Sequence, residues 1–356
     1  MDGVVNDPRR IRIGSHEVGS GRPCFIVAEA GVNHNGSLDL ALKLVDAAVA
    51  AGADAVKFQT FRADRLVTLN APKAAYQSET TGEAESQFEM LRKLELDERG
   101  HRTLVVHCAS RGIAFLSTPF DEESADFLET LDVPAYKLPS GELTNLPFLR
   151  HVAQKKRPMI MSTGMATMEE VGQAVEAVRI AECKDLVLLH CVSAYPADPA
   201  DVNLRAMATL TEAFGVPVGY SDHTLGIEVA LAAVAMGACI LEKHFTLDRS
   251  LPGPDHRISA EPAELAALVA SARIVEAALG NGVKRPSVSE ADSAQIARKS
   301  LVAACDLLAG TVLCPEHVVI RRPGTGIPPR MRDRLVGRKT KVTITADTLF
   351  DWGMFE

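Results

Sequence analysis

Residues Pro217–Thr246 read PVGYSDHTLGIEVALAAVAMGACILEKHFT. Two short runs, PVGYSDHT and ACILEKHFT, flank a stretch, Glu228–Ala235, with helical periodicity. The uncharged run inside it, Val229–Leu241, is thirteen residues long and ends at Glu242. A membrane-spanning helix needs roughly 18 or more apolar residues, so the run divides into a core helix and a buried strand. Short, continuously apolar strands belong to parallel sheets covered on both faces. The segment is therefore one strand–helix–strand unit.

The same texture fills the chain upstream from Phe25. Apolar runs appear as FIVAEAGVNH, AVKFQTF, GIAFLSTPF, AYKLPSGE, PMIMSTGM and DLVLLHCVS, with helical stretches such as Leu38–Ala50 and Glu169–Ile180 between them. Asn35-Gly36-Ser37 marks one junction, a turn followed by a serine placed to cap a helix. Eight strand–helix units over about 250 residues predict an α/β fold of the (β/α)8 TIM-barrel type. A doubly wound open sheet is the competing α/β reading, weakened because no GxGxxG turn follows the first strand. The polar stretch from Arg62 to Asp97 is too long for a simple connection and reads as an insertion over one mouth of the barrel. The barrel is assigned to residues 1–280 and a polar linker to 281–296. Residues 297–356, with SLVAA, VVIRRPGTGIPP and KVTITADTLF, form a small β-rich domain.

Composition closes other doors. In 356 residues, 47% are hydrophobic and 24% charged, and 38 basic against 46 acidic side chains give a net charge of −8. Mild acidity without basic blocks argues against nucleic-acid binding. The first residues, MDGVVNDPRRIRIG, hold no hydrophobic leader. Seven widely spaced cysteines without CxxC argue against a disulfide framework or a thiolate zinc site and fit reduced core thiols in a cytoplasmic protein.

In a barrel of this type the chemistry sits at the C-terminal strand ends. Here each apolar run stops at polar residues: Glu29; Lys57 and Gln59; Ser117 and Thr118; Lys137, Ser140 and Glu142; Ser162 and Thr163; Ser193 and Tyr195; Ser221, Asp222 and His223; Lys243, His244 and Thr246. Strand alternation puts Ser221 with His223 on one face and Glu242 with His244 on another. Two imidazoles could thus converge on a divalent metal, although two alone make a weak site. Lys57 and Lys137 are costly to bury without an anionic partner. They admit three readings: phosphate or carboxylate recognition aided by Ser140, Ser162 and Ser193, a Schiff-base lysine of a class I aldolase, or a structural ion pair with Glu29 or Glu142. The loop LPGPDHRIS, Leu251–Ser259, holds Asp255 and His256 in a Pro-Gly-Pro frame.

These motifs resemble the phosphoenolpyruvate-dependent N-acetylneuraminate (sialic acid) synthases, a family that includes legionaminate and pseudaminate synthases. AEAGVNHNG, KFQTF, STPF, YKLPSGE, MSTGM, GYSDHTLG, EKHFTLDR and GPDH occur in the family's order, and ARKSLVA with RRPGTGI resembles its antifreeze-like (SAF) domain. The resemblance implies a TIM barrel followed by a SAF domain in a domain-swapped homodimer. It implies condensation of phosphoenolpyruvate with an N-acetylated hexosamine of the N-acetylmannosamine type, giving a nine-carbon 2-keto acid and phosphate. The alternative substrate is a 2,4-diacetamido-trideoxyhexose, as in legionaminate or pseudaminate synthesis; an aldolase and a non-catalytic sugar-phosphate sensor are remoter.

Carried over position by position, His223 and His244 look like ligands of a divalent ion, Mn2+ first and Mg2+ or Co2+ as alternatives. Lys57, Thr118, Lys137, Ser140, Ser162, Ser193 and Ser221 look like the phosphoenolpyruvate cradle. Glu29, Gln59, Tyr195 and Asp255 look like sugar contacts, Glu29 with a catalytic part. Glu142 resembles an acid/base or water-orienting group, and Arg322 an arginine reaching the acetamido group from the partner subunit. A sugar-binding Asn of some members, between strands two and three, has no counterpart here; Tyr76 and Gln77 lie nearby.

Overall fold

A computed structural model describes residues 10–82 and 84–356, so most of the N-terminal stretch read for a leader, Met1–Arg9, lies outside the described residues. The chain divides into two compact units, Met1–Gly280 and Asn281–Glu356.

The first unit opens with an antiparallel hairpin, β1 (Arg10–Ile13) and β2 (His16–Gly19). Eight parallel strands follow: β3 (Phe25–Gly31), β4 (Ala55–Thr60), β5 (Ala114–Pro119), β6 (Tyr136–Leu138), β7 (Met159–Ser162), β8 (Leu186–Cys191), β9 (Val218–Asp222) and β10 (Ile240–His244). Their lateral order is β5-β4-β3-β10-β9-β8-β7-β6, and β5 packs beside β6 to bring the circuit nearly to closure. The helices between them are α1 (Leu38–Ala51), the insertion helices α2 (Ala63–Leu66), α3 (Ala75–Thr81) and α4 (Gln87–Lys93), then α5 (Glu98–Arg111), α6 (Glu122–Thr130), α7 (Leu146–Gln154), α8 (Met168–Ile180), α9 (Ala206–Phe214), α10 (Glu228–Ala235) and α11 (Pro262–Leu279). Residues 217–246 form the expected strand–helix–strand unit β9–α10–β10, and Ser37, as expected, caps α1 by accepting from the Leu40 amide.

Alternation along the strands sorts side chains into two cores. Ile26, Ala28, Val56, Phe58, Met161, Tyr220 and Leu241 point outward into the helices. Phe25, Val27, Ala55, Leu116, Ile160, Leu189 and Ile240 point inward, and Ile11, Ile13 and Val18 of the hairpin join them. The hairpin, which the sequence reading did not anticipate, thereby seals the N-terminal end of the barrel. Each of those three buried side chains contributes roughly 1.5–3 kcal/mol at most. The interior can turn polar only toward the other end.

The insertion forms a third, smaller core of Phe61, Ala63, Met90, Leu91 and Leu94 with Val32. It seats on the rim at Gly36, which adopts φ +72° and lies so close to the Lys93 carbonyl that a Cβ would collide with it. Glycine is required there on both counts.

In the second unit, the stretch read as a linker carries a short helix, α12 (Ala291–Ala297). Strands β11 (Ser300–Ala303) and β12 (Val318–Arg321) pair antiparallel. The segment KVTITADTLF contributes isolated bridges, Leu307 with Ile344 and Val302 with Leu349, rather than a strand. A final helix, α13 (Arg332–Leu335), packs Leu335 into a core with Leu301, Ile327, Phe350 and Phe355. Of the seven cysteines, all free, five are buried in the barrel unit; Cys305 is exposed and Cys314 half-buried, so the core-thiol expectation does not extend to the second unit.

Candidate active site

The strand parity that places Val27 and Leu116 inward carries on to Glu29, Lys57, Thr118, Lys137, Ser162, Ser221 and Glu242 one layer higher. They floor a cavity of about 500 Å3 at the C-terminal end of the barrel. Gln59, Ser140, Ser193, Tyr195, His223, His244 and Asp255 line its walls. Fourteen side chains thus meet, thirteen of them assigned from the sequence; the addition is Glu242.

Glu242 organises the floor. Its Oε1 accepts from Ser221 Oγ at 3.0 Å and pairs with Lys137 Nζ at 3.2 Å, while Oε2 lies 3.8 Å from Lys57 Nζ. Lys57 Nζ also pairs with Glu29 Oε2 at 2.7 Å and donates to Thr118 Oγ1 at 3.1 Å. All four ionisable groups are nearly inaccessible, which is tolerable only because two cations face two carboxylates. Burial opposes the Lys57 charge, but Glu242 and Glu29 outweigh it and raise its pKa. Burial lowers that of Lys137. Burial also works to raise Glu242, yet the two lysines hold it down at about 2. Glu29, with less cationic support, is lifted by burial to about 7. Of the two carboxylates named as ion-pair partners from the sequence, Glu29 pairs with Lys57, whereas Glu142 pairs with neither lysine and Lys137 faces Glu242 instead.

Glu142 does not reach the cavity. The strand ends at Leu138, and a 3-10 turn over Ser140–Glu142 breaks the alternation. Its carboxylate instead accepts from Asn145 Nδ2 at 2.7 Å. Arg322 belongs to the second unit, where it is exposed.

Hydroxyls gather beside the lysines. Ser140 Oγ lies 3.2 Å from Cys191 Sγ and accepts from the Gly164 amide at 2.9 Å. Ser162 Oγ is buried without a partner. A Cβ on Gly164 would collide with Ser193, Ser140 and Cys191, so glycine in the turn after β7 keeps open a pocket rich in donors. The unpartnered Ser162 hydroxyl, the hydroxyls of Ser140 and Ser193 and two lysines lining the same cavity suit an anion.

Above the floor, the ring centroids of His223 and His244 are 5.4 Å apart. His223 Nδ1 lies 2.6 Å from the Val192 carbonyl; a proton donated there leaves the lone pair on Nε2. His244 Nδ1 is buried without a hydrogen-bond partner, 3.8 Å from Asp255 Oδ2. Burial holds both imidazoles neutral, His244 strongly so. Two neutral, buried ring nitrogens suit a divalent ion whose other positions fall to water and substrate. Among the described residues, no group of three or more His, Cys, Asp or Glu converges as a complete protein shell. Tyr195 packs at a tilt against His223 with centroids 4.3 Å apart, and Tyr76 of α3 stacks on Tyr195 at 4.9 Å.

Asp255, raised by burial to about 6, is fixed through a network the sequence reading passed over. Ser259 Oγ donates to the Asp255 carbonyl at 2.6 Å, and Asn33 Nδ2 bridges Ser259 Oγ and the Phe245 carbonyl at 2.9 and 2.8 Å. The His256 ring contacts Thr246 Oγ1 at 2.6 Å and Asn35 Oδ1 at 3.3 Å. The polar residues of VNHN after β3 thus hold the loop after β10. Their crowding in an otherwise apolar run was the available signal.

The model described as the NeuB family matches residues 44–284, and that of the SAF domain matches residues 298–356. The chain is 50% identical over 342 residues to the N,N'-diacetyllegionaminic acid synthase of Legionella pneumophila, covering 95% of this chain and 96% of that one. It is 47% identical over 316 residues to the N,N'-diacetyllegionaminic acid synthase of Campylobacter jejuni, with coverage of 88% and 95%. Among solved structures, the N-acetylneuraminic acid synthetase of Leptospira borgpetersenii, in complex with citrate, superposes with a TM-score of 0.71 at 37% identity, over 80% of this chain and 94% of that one.

Proposed function

This chain belongs to the NeuB family and is a sugar-acid synthase, and on that premise we propose that it condenses phosphoenolpyruvate with 2,4-diacetamido-2,4,6-trideoxymannose to give N,N'-diacetyllegionaminate and phosphate. Relatives at 50% and 47% identity carry the legionaminic acid name, against 37% for the neuraminic acid synthetase. That reverses the order of the two substrate readings drawn from the sequence. The observation that carries the reaction is one cavity holding both an anion cradle and two neutral imidazoles.

In this reading Lys57 and Lys137, with Ser140, Ser162, Ser193, Ser221 and Thr118, neutralise and orient the phosphate and carboxylate of phosphoenolpyruvate. Gln59, Tyr195 and Asp255 take the sugar hydroxyls. His223 and His244 hold a divalent ion, Mn2+ first, which when bound supplies a Lewis acid at the aldehyde oxygen. The methylene carbon of phosphoenolpyruvate forms the new C–C bond to the aldehyde carbon, and the oxygen becomes a hydroxyl by taking a proton. Glu29, lifted by burial to about 7 inside the cavity, gives it in this reading, an acid/base role the sequence reading had assigned to Glu142. Water adds at the enol carbon and returns a proton to Glu29. Cleavage of the C–O bond then releases phosphate with the new hydroxyl's proton, leaving the 2-keto group.

We also propose a cytoplasmic homodimer in which Arg322 of the partner subunit reaches an acetamido group, which predicts that Arg322→Ala raises the Michaelis constant for sugar more than for phosphoenolpyruvate. The deciding assay is phosphate release with Mn2+, comparing the trideoxy sugar with N-acetylmannosamine, with chelator controls and product mass. Release that requires metal and sugar, faster with the trideoxy sugar, is expected. Release independent of either sugar or metal would sink the reaction, and preference for N-acetylmannosamine would sink the substrate.

A further inference from the structure

The cavity has two unlike ends. Its floor is charged and hydroxylic, whereas its outer wall is mostly apolar: Leu66, Val67, Met90, Leu91, Leu94 and Phe120 line it beside the uncharged amides Gln77 and Gln87. All but Phe120 come from the insertion between β4 and α5. The only cations lining the cavity are Lys57 and Lys137, both on the floor and both facing carboxylates, and no arginine lines it among the described residues.

A route joins the two ends. From His223 the rings step to Tyr195 at 4.3 Å and on to Tyr76 at 4.9 Å, and Tyr76 stands on the insertion. An open-chain hexose measures about 6 Å from C1 to C6, five single bonds being a little under two residues of extended backbone. A sugar with its aldehyde at the imidazoles and its chain along these rings presents its far carbon to the insertion.

From this geometry we infer that the insertion wall, with Val67 and Met90 as its readers, is the subsite for C6 of the sugar and selects a methyl terminus over a hydroxymethyl or phosphorylated one. The inference rests on the proposed condensation and names the residues that decide its substrate. At Val67 and Met90 a methyl group leaves water for apolar contacts, a hydroxyl loses its water hydrogen bonds, and a phosphate finds no unpaired cation among the cavity's own lining residues. Apolar pockets discriminate at this level by roughly 10- to 100-fold, so the selection is a matter of rate rather than absolute exclusion. Val67 is half-buried and Met90 is 3% exposed.

The test uses two sugars that differ only at C6, 2,4-diacetamido-2,4,6-trideoxymannose and its 6-hydroxy counterpart, with phosphoenolpyruvate and Mn2+. The full chain should show a kcat/KM ratio of about 10 or more in favour of the methyl sugar. Val67→Thr, nearly isosteric, and Met90→Gln, of similar length, should each lower that ratio by about tenfold while the Michaelis constant for phosphoenolpyruvate changes less than about twofold. Thermal midpoints identify any variant that fails to fold, and the wild-type ratio stands without them. A wild-type ratio near one, or an unchanged ratio in both folded variants, would overturn the C6 subsite while leaving the condensation intact. Absence of phosphate release with either sugar would overturn the condensation, and the subsite with it.

Discussion

Replacing Asp222 by Asn tests the barrel's construction where its chemistry and its packing meet. Ser221 and His223 point into the cavity, so alternation turns Asp222, and likewise Lys243, outward beneath the helices. There Asp222 Oδ2 pairs with Lys243 Nζ at 2.7 Å, with side chains 0% and 3% exposed. Oδ1 accepts from the Thr224 amide and hydroxyl at 2.9 and 2.8 Å, and Lys243 donates to the Thr224 carbonyl at 2.6 Å. Asparagine keeps the size and one acceptor but leaves the ammonium without its counter-charge. Removing one member of a buried pair costs about 3–5 kcal/mol. At about 2–3 °C per kcal/mol for a unit this large, the thermal midpoint should fall by roughly 6–15 °C. Calorimetry on the full chain at about pH 7 measures it. The double variant Asp222→Leu/Lys243→Met removes both charges together and should recover most of the loss. A midpoint for Asp222→Asn within about 1 °C of wild type, or a double variant less stable than the single, would refute this account of the pair.

Three further outcomes follow from the site. Gly164→Ala should raise the Michaelis constant for phosphoenolpyruvate about tenfold or more, because its methyl occupies the space among Ser140, Ser193 and Cys191; an unchanged constant would mean the anion does not sit there. Glu29 titrates near 7 when folded against an ordinary 4.5, so the folded chain binds the extra proton between those values and loses stability as pH rises through them. Thermal scans from about pH 4.5 to 7 should therefore show a decline that shrinks in Glu29→Gln, and parallel curves would contradict the raised pKa. His223→Ala or His244→Ala should abolish Mn2+-dependent phosphate release with the far-ultraviolet spectrum retained; activity surviving in either would remove that residue from the metal site.

Much of this was legible in the order of residues because the barrel's rule is simple. Parallel strands buried on both faces read as apolar runs, and a polar residue interrupting one near its end must face the mouth. Lys57, Lys137, His223 and His244 were found on that rule. It failed at Glu142, where Pro139 and the 3-10 turn end the alternation, so counting forward from Lys137 no longer gives direction. It set Glu242 on the face of His244 but gave it no role, because its partners Lys57, Lys137 and Ser221 come from three other strands. Asn33, Asn35 and His256 escaped for a similar reason: their hydrogen bonds tie the loop after β3 to the loop after β10, a closeness created only when the sheet rolls up. The hairpin β1–β2 was readable in principle from Ile11, Ile13 and Val18, but two four-residue strands carry little periodicity.

The insertion keeps its own small core, separate from the two that hold the barrel. Side chains that share few neighbours respond to substitution almost independently. A lineage could therefore exchange residues such as Val67 or Met90, and with them the sugar admitted, while strand packing and the ion pairs of the floor stay as they are. Diversification in such a chain has a low threshold: a new preference has only to survive the loss of one local cluster's fit, since the framework that folds the protein does not depend on it.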